Sequence, residues 1–90
     1  MKKCNVILVD DHPLIRDGLK NVINSQSDMQ VVAEAENGET ALRLIFEHKP
    51  DIVILDISLP DYNGLEIAAQ IQKYSMDSKT KIDIIILTMF

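Results

Sequence analysis

Residues 52–56 read Ile-Val-Ile-Leu-Asp, and residues 6–11 read Val-Ile-Leu-Val-Asp-Asp. Each is a run of apolar, mostly branched residues that ends abruptly on an acid. Such runs are too short and too continuous for an amphipathic helix, and they have the pattern of strands buried on both faces. Two more runs follow the same rule, Val31 to Ala33 and Ile84 to Leu87, the last leading into Thr88. The segments between them carry helical spacing. Ile15, Leu19, Val22 and Ile23 fall on one helix face, and Pro13 suits that helix's first turn. Asn37-Gly38 precedes a second apolar face at Ala41, Leu42, Ile45 and Phe46, which Lys49-Pro50 closes. A third helix follows Gly64, with Ile67, Ile71 and Tyr74 among its apolar members, and the polar stretch Ser75 to Lys81 is expected to end it.

The resulting order β-α-β-α-β-α-β implies parallel strands, right-handed crossovers and helices on both faces of one sheet, a doubly wound α/β fold. In such sheets ligands sit beyond the carboxyl ends of the strands, where the winding direction reverses. Asp10 and Asp11 follow the first strand, Asp56 ends the third and Thr88 follows the fourth. With the strand order 2-1-3-4, strands one and three are neighbours, and the three acids converge on one crevice. Carboxylates held together repel one another unless a cation compensates. An all-oxygen set suits Mg²⁺, which keeps several waters and takes few protein ligands. A metal there would neutralise an incoming phosphoryl group and leave a carboxylate free to attack phosphorus. Taken singly, an Asp pair at a strand end is usually a turn or a helix cap. Their joint placement at strand ends is what favours a pocket.

Composition narrows the alternatives. Ninety residues, 47% of them apolar, make a single domain with one core. A net charge of −5 and a pI near 4.8, without clusters of Lys or Arg, argue against a nucleic-acid or anionic-membrane surface. The start Met1-Lys2-Lys3 is followed by too short an apolar run for a signal peptide, and nothing is long enough to span a bilayer. A single cysteine, Cys4, excludes an internal disulfide and reads as an apolar strand residue in a reducing, cytoplasmic setting.

Three segments together resemble the response-regulator receiver domain of two-component signalling: Val6-Ile7-Leu8-Val9-Asp10-Asp11-His12, Ile54 through Gly64 (Ile-Leu-Asp-Ile-Ser-Leu-Pro-Asp-Tyr-Asn-Gly), and Ile86-Leu87-Thr88. The stretches Asp11 to Leu19 and Val32 to Gly38 are similar to the NarL/FixJ type. The resemblance implies a flavodoxin-like fold in which Asp56 accepts phosphate from a histidine kinase or a small acyl-phosphate donor. It further implies that Asp11 and Asp56 coordinate Mg²⁺, that Asp10 helps through water, and that Ser58 offers its backbone carbonyl. Thr88 would hydrogen-bond a phosphoryl oxygen, while Ser58 and Phe90 occupy positions that gate attacking water in the family. His12 is expected to serve as a helix-start residue without a chemical role, and His48 to sit at the end of the second helix.

The family's domain continues through a fourth helix, a fifth strand carrying a lysine and a fifth helix, so residues 1–90 are expected to form a single partial receiver domain. The NarL/FixJ resemblance also implies a carboxyl-terminal helix-turn-helix output domain that these residues do not contain, and no direct DNA binding by them. An uncovered fourth strand is expected to drive self-association. Two other functions compete with this reading. A receiver-like interaction or dimerisation module would go unphosphorylated for want of the lysine. A phosphatase with an aspartyl nucleophile would carry Asp-x-Asp, whereas Asp56-Ile57-Ser58 lacks the second acid, so no turnover is expected.

Overall fold

A computed structural model describes residues 3–87 of the chain; Thr88 and Phe90 lie outside the described residues. Four strands, β1 (Cys4–Val9), β2 (Met29–Ala35), β3 (Ile52–Asp56) and β4 (Asp83–Leu87), alternate with α1 (Pro13–Asn24), α2 (Gly38–His48) and α3 (Gly64–Ser78). The sheet order is β2-β1-β3-β4 and every pairing is parallel, the arrangement expected from the sequence.

The inner strands β1 and β3 read as unbroken apolar runs because both of their faces are covered. Successive strand side chains point to opposite faces. Ile7, Val9, Val53 and Leu55 therefore pack on Ala41 and Ile45 of α2 and Ile67 and Ile71 of α3. Val6, Leu8 and Ile54 pack on Ile23 of α1, with Leu19 beside them. Burying each of the larger side chains stabilises the fold by about 1.5–3 kcal/mol.

Helix ends follow local chemistry. Asn37 takes the N-cap position of α2 and its side chain accepts the Thr40 amide at 2.8 Å; Asn63 does the same for α3, accepting from Leu65 at 2.8 Å. Both helices stop where a lysine adopts left-handed backbone, Lys49 at φ 49° and Lys79 at φ 56°. Helix α3 runs through Ser78 rather than ending at Ser75. Residues 75–78 contain neither Gly nor Pro, and a polar side chain on the outer face does not oppose helix formation.

Val22 also departs from expectation, being 61% exposed. Leu19 and Ile23, spaced four apart, face the sheet, and Val22 lies outside that contact. Phe46 is half-exposed but rests on Tyr74 of α3, ring centroids 4.9 Å apart. At the sheet edge, Ile85 and Ile86 of β4 are 48% and 40% exposed.

The packing predicts two unequal losses. Ile67→Ala should destabilise the domain by about 2–5 kcal/mol in urea unfolding. Val22→Ala should stay within about 0.5 kcal/mol of the parent, and comparable losses at the two positions would contradict the packing described.

Candidate functional site

Strands β1 and β3 are adjacent, with Val9 aligned to Leu55, so their final carboxylates emerge side by side. Asp10 is fixed to the neighbouring strand by its amide, which donates to the Ala35 carbonyl at 3.0 Å. Asp10 and Asp56 are each only 1% exposed, although both carry an acid. One oxygen of each is accounted for. Asp10 Oδ1 accepts the His12 amide at 2.7 Å, and Asp56 Oδ1 accepts the Ser58 amide at 3.0 Å. The other oxygen of each, Oδ2, is buried with no hydrogen-bond partner among the described residues.

Ligand atoms from Asp10, Asp11, His12 and Asp56 all lie within 4.8 Å of one another. The geometry therefore unites three of the acids proposed from sequence, Asp10, Asp11 and Asp56, at the carboxyl end of the sheet. Ser58 follows immediately in the β3–α3 loop, its amide tied to Asp56.

His12 is the residue that sequence reasoning placed outside the pocket. It does occupy the N-cap position of α1, yet its side chain caps nothing there. Its Nδ1 instead lies 2.7 Å from Asp10 Oδ1, 3.0 Å from Asp11 Oδ1 and 3.6 Å from Asp56 Oδ2. The hydrogen bond to Asp10 holds the imidazole above its ordinary pKa; the charges of Asp11, Asp10 and Asp56 add to that rise and desolvation opposes it. Among the described residues no lysine or arginine pairs with the three acids. Arg16 passes close by but donates through Nη1 to the Asp10 backbone carbonyl at 2.6 Å, while its Nε lies 3.6 Å from Glu34.

The donor set suits a small hard cation. It is all oxygen apart from a partly exposed imidazole, and two of its buried oxygens have no partner. Leaving such oxygens without a partner is costly, and a divalent ion with retained waters would satisfy them.

Asp61, farther along the β3–α3 loop, escaped sequence reasoning because its partner lies 23 residues earlier. Asp61 Oδ1 accepts the Gly38 amide at 2.7 Å and Oδ2 the Glu39 amide at 3.1 Å, both in the first turn of α2. No local sequence signal reveals that pairing.

Residues 6–90 match the family model of the response regulator receiver domain. The chain belongs to this family. Among curated relatives, this receiver domain is 41% identical over 85 residues to the transcriptional regulatory protein YdfI of Bacillus subtilis, covering 94% of the chain and 38% of YdfI. It is 38% identical over 74 residues to the nitrate/nitrite response regulator protein NarL of Escherichia coli, covering 82% of the chain and 34% of NarL. The receiver thus spans well under half of these regulators. A crystal structure of the response regulator TrrA from Thermotoga maritima, in complex with Mg²⁺-BeF, matches with a TM-score of 0.83 and 40% identity, covering 100% of this chain and 71% of that one. These findings support the flavodoxin-like fold and the resemblance to the receiver domain of NarL/FixJ-type response regulators read from the sequence. Among the described residues, no helix is long and apolar enough to cross a membrane.

The Asp61 contacts predict an acid dependence. The Gly38 amide holds the carboxyl below its ordinary 3.8; desolvation opposes that lowering, and the Glu39 amide, with those of Asp61 and Tyr62, adds to it. A lowered folded-state pKa stabilises the fold above the unfolded value, and that contribution disappears as pH falls through the folded value. The urea midpoint of the parent should therefore exceed that of Asp61→Asn near neutral pH. The gap should close as pH drops below the ordinary aspartate range, and a gap independent of pH would contradict the assignment.

Proposed function

We propose that this chain is the phosphoacceptor receiver of a two-component regulator, taking a phosphoryl group on Asp56 from a sensor histidine kinase. The observation that carries the reading is the pair of partnerless buried oxygens, Asp10 Oδ2 and Asp56 Oδ2, on neighbouring strand ends. Asp10, Asp11 and Asp56, with the Ser58 backbone carbonyl, are the groups that would hold Mg²⁺. When bound, the ion would neutralise charge on the transferring phosphoryl group.

The chain's own part is positional. Burial keeps the Asp56 carboxylate poorly solvated, and the Ser58 amide holds Oδ1 and so orients the group. Asp56 attacks phosphorus and an oxygen–phosphorus bond forms. The phosphorus–nitrogen bond to the kinase imidazole breaks, and the imidazole takes up a proton from solvent. Thr88, the next residue in sequence after β4, would donate a hydrogen bond to a phosphoryl oxygen. The resulting change in charge shifts a two-state equilibrium that alters partner binding. Within a longer regulator with a helix-turn-helix output domain, that shift would control transcription in the cytoplasm.

The test is incubation with Mg²⁺ and a small acyl-phosphate donor, followed by intact-mass measurement. The parent should gain one phosphoryl group; Asp56→Ala, or chelation of the metal, should abolish the gain. Mg²⁺ binding without any mass gain would favour the second reading, an interaction module that is not phosphorylated.

The exposed apolar pair Ile85 and Ile86 on β4 supports that reading's dimerisation component. An apolar strand edge with no neighbouring strand among the described residues is a template for pairing with a second chain. Sedimentation of the 90-residue chain should show concentration-dependent dimers, weakened by Ile85→Lys. A monomer at high concentration would exclude self-association.

A further inference from the structure

The loop between β3 and α3, residues 57–63, is held at both ends by its own neighbours. At its start the Ser58 amide donates to Asp56 Oδ1 at 3.0 Å, and at its end the Gly64 amide donates to the Ile57 carbonyl at 2.8 Å. Ser58 also bridges to Asn63 in antiparallel fashion. Gly64 is required by that closure, since a Cβ there would lie 2.7 Å from the Asp56 carbonyl oxygen and 2.6 Å from Ile57 Cα.

The middle of the loop depends on a different element. Helix α2 begins with three amides that have no partner within the helix, those of Gly38, Glu39 and Thr40. Asn37 satisfies only Thr40, while the other two donate to the two oxygens of Asp61. The carboxylate also faces the positive end of the helix dipole. Next to it, Tyr62 lies flush against Gly38: a Cβ on Gly38 would collide with Tyr62 Cδ2 and come 2.8 Å from its Cβ. Pro60 and Asp61 are themselves exposed, so burial alone does not hold this stretch.

We propose that Asp61 is a positioning residue for the acidic pocket, its carboxylate latching the 57–63 loop onto the first turn of α2 and so fixing the Ser58 backbone. The inference rests on the reading of the Ser58 carbonyl as a metal ligand. Outer partners that orient ligands commonly shift metal affinity without touching the ion. The contact is also reciprocal, because a latch that favours the metal-ready loop is itself tightened when metal binds. Helix α2 and the loop beside the pocket are thereby joined through two hydrogen bonds and one glycine.

Asp61→Ala, Asp61→Asn and Gly38→Ala test this in the 90-residue chain. Amide hydrogen exchange without metal is read at Glu39 and Ser58, with Val53 and Leu55 as controls for an intact sheet. Asp61→Ala should accelerate exchange at both test amides by about tenfold, the scale of a lost charge-assisted hydrogen bond. Mg²⁺ affinity should fall by about tenfold in the same variant. Asp61→Asn, which keeps one acceptor, should recover part of both losses. Gly38→Ala, which leaves Asp61 in place but displaces Tyr62, should loosen Ser58 in the same direction.

Faster exchange confined to Glu39, with Ser58 protection and Mg²⁺ affinity unchanged, would reduce Asp61 to a helix cap and overturn the proposal. If the parent itself fails to bind Mg²⁺, the metal reading fails. Exchange at Ser58 then decides the latch independently.

Discussion

Holding Asp10 and Asp56 out of water at the ends of two adjacent strands is a demand that the layers beneath them must meet. A buried carboxylate without compensation opposes folding by several kcal/mol. The opposing stabilisation comes from the sheet, where Ile7, Leu8, Val9, Val53 and Leu55 are almost completely enclosed on both faces. A loosely packed sheet would let water reach the acids or let them move apart. The rigidity of the apolar interior is therefore the condition for the polar end. His12 relieves part of the repulsion through its contact with Asp10, but its ring is half in solvent. That partial compensation leaves two inner oxygens open to a stronger cation.

The fold was legible because this architecture writes itself in short-range patterns. Continuous apolar strands and 3.6-residue helix faces implied the alternation β-α-β-α-β-α-β, and oxygen-bearing residues at three of the four strand ends marked the crevice where Asp10, Asp11 and Asp56 meet once the order is β2-β1-β3-β4, one of the two common doubly wound orders. Errors arose where a choice depended on neighbours. Val22 is as apolar as Ile23, and only the angle at which α1 lies on the sheet leaves it outside. Residues 75–78 look like a loop by polarity, yet nothing in them breaks a helix. The ring of His12 could not be placed from sequence because its orientation is chosen by acids on two strands. Asp61 was invisible for a related reason, its hydrogen-bond donors being backbone amides of a distant helix. Backbone groups carry no letter in the sequence.

Pocket and scaffold are consequently less separable than a list of site residues implies. Three of the elements converging on the acids do so through main-chain atoms: the Ala35 carbonyl of β2, the Ser58 amide, and the Asp10 carbonyl that receives Arg16 of α1. Substitutions at the pocket's periphery act on positions of the backbone before they act on charge. The surface ion pair of Lys20 with Glu34, at 3.1 Å, is of a different kind, exposed and energetically minor.

The strand order also carries a temporal meaning. Synthesis makes the amino-terminal part of a chain available first. Here β1 appears first and becomes an inner strand; β2 closes one side of it, β3 the other, and β4 then adds to β3. Every later strand finds its neighbour already made, and no strand has to be threaded between two existing ones. The sheet can grow outward in the order of translation, with its acidic end assembled as soon as β3 docks.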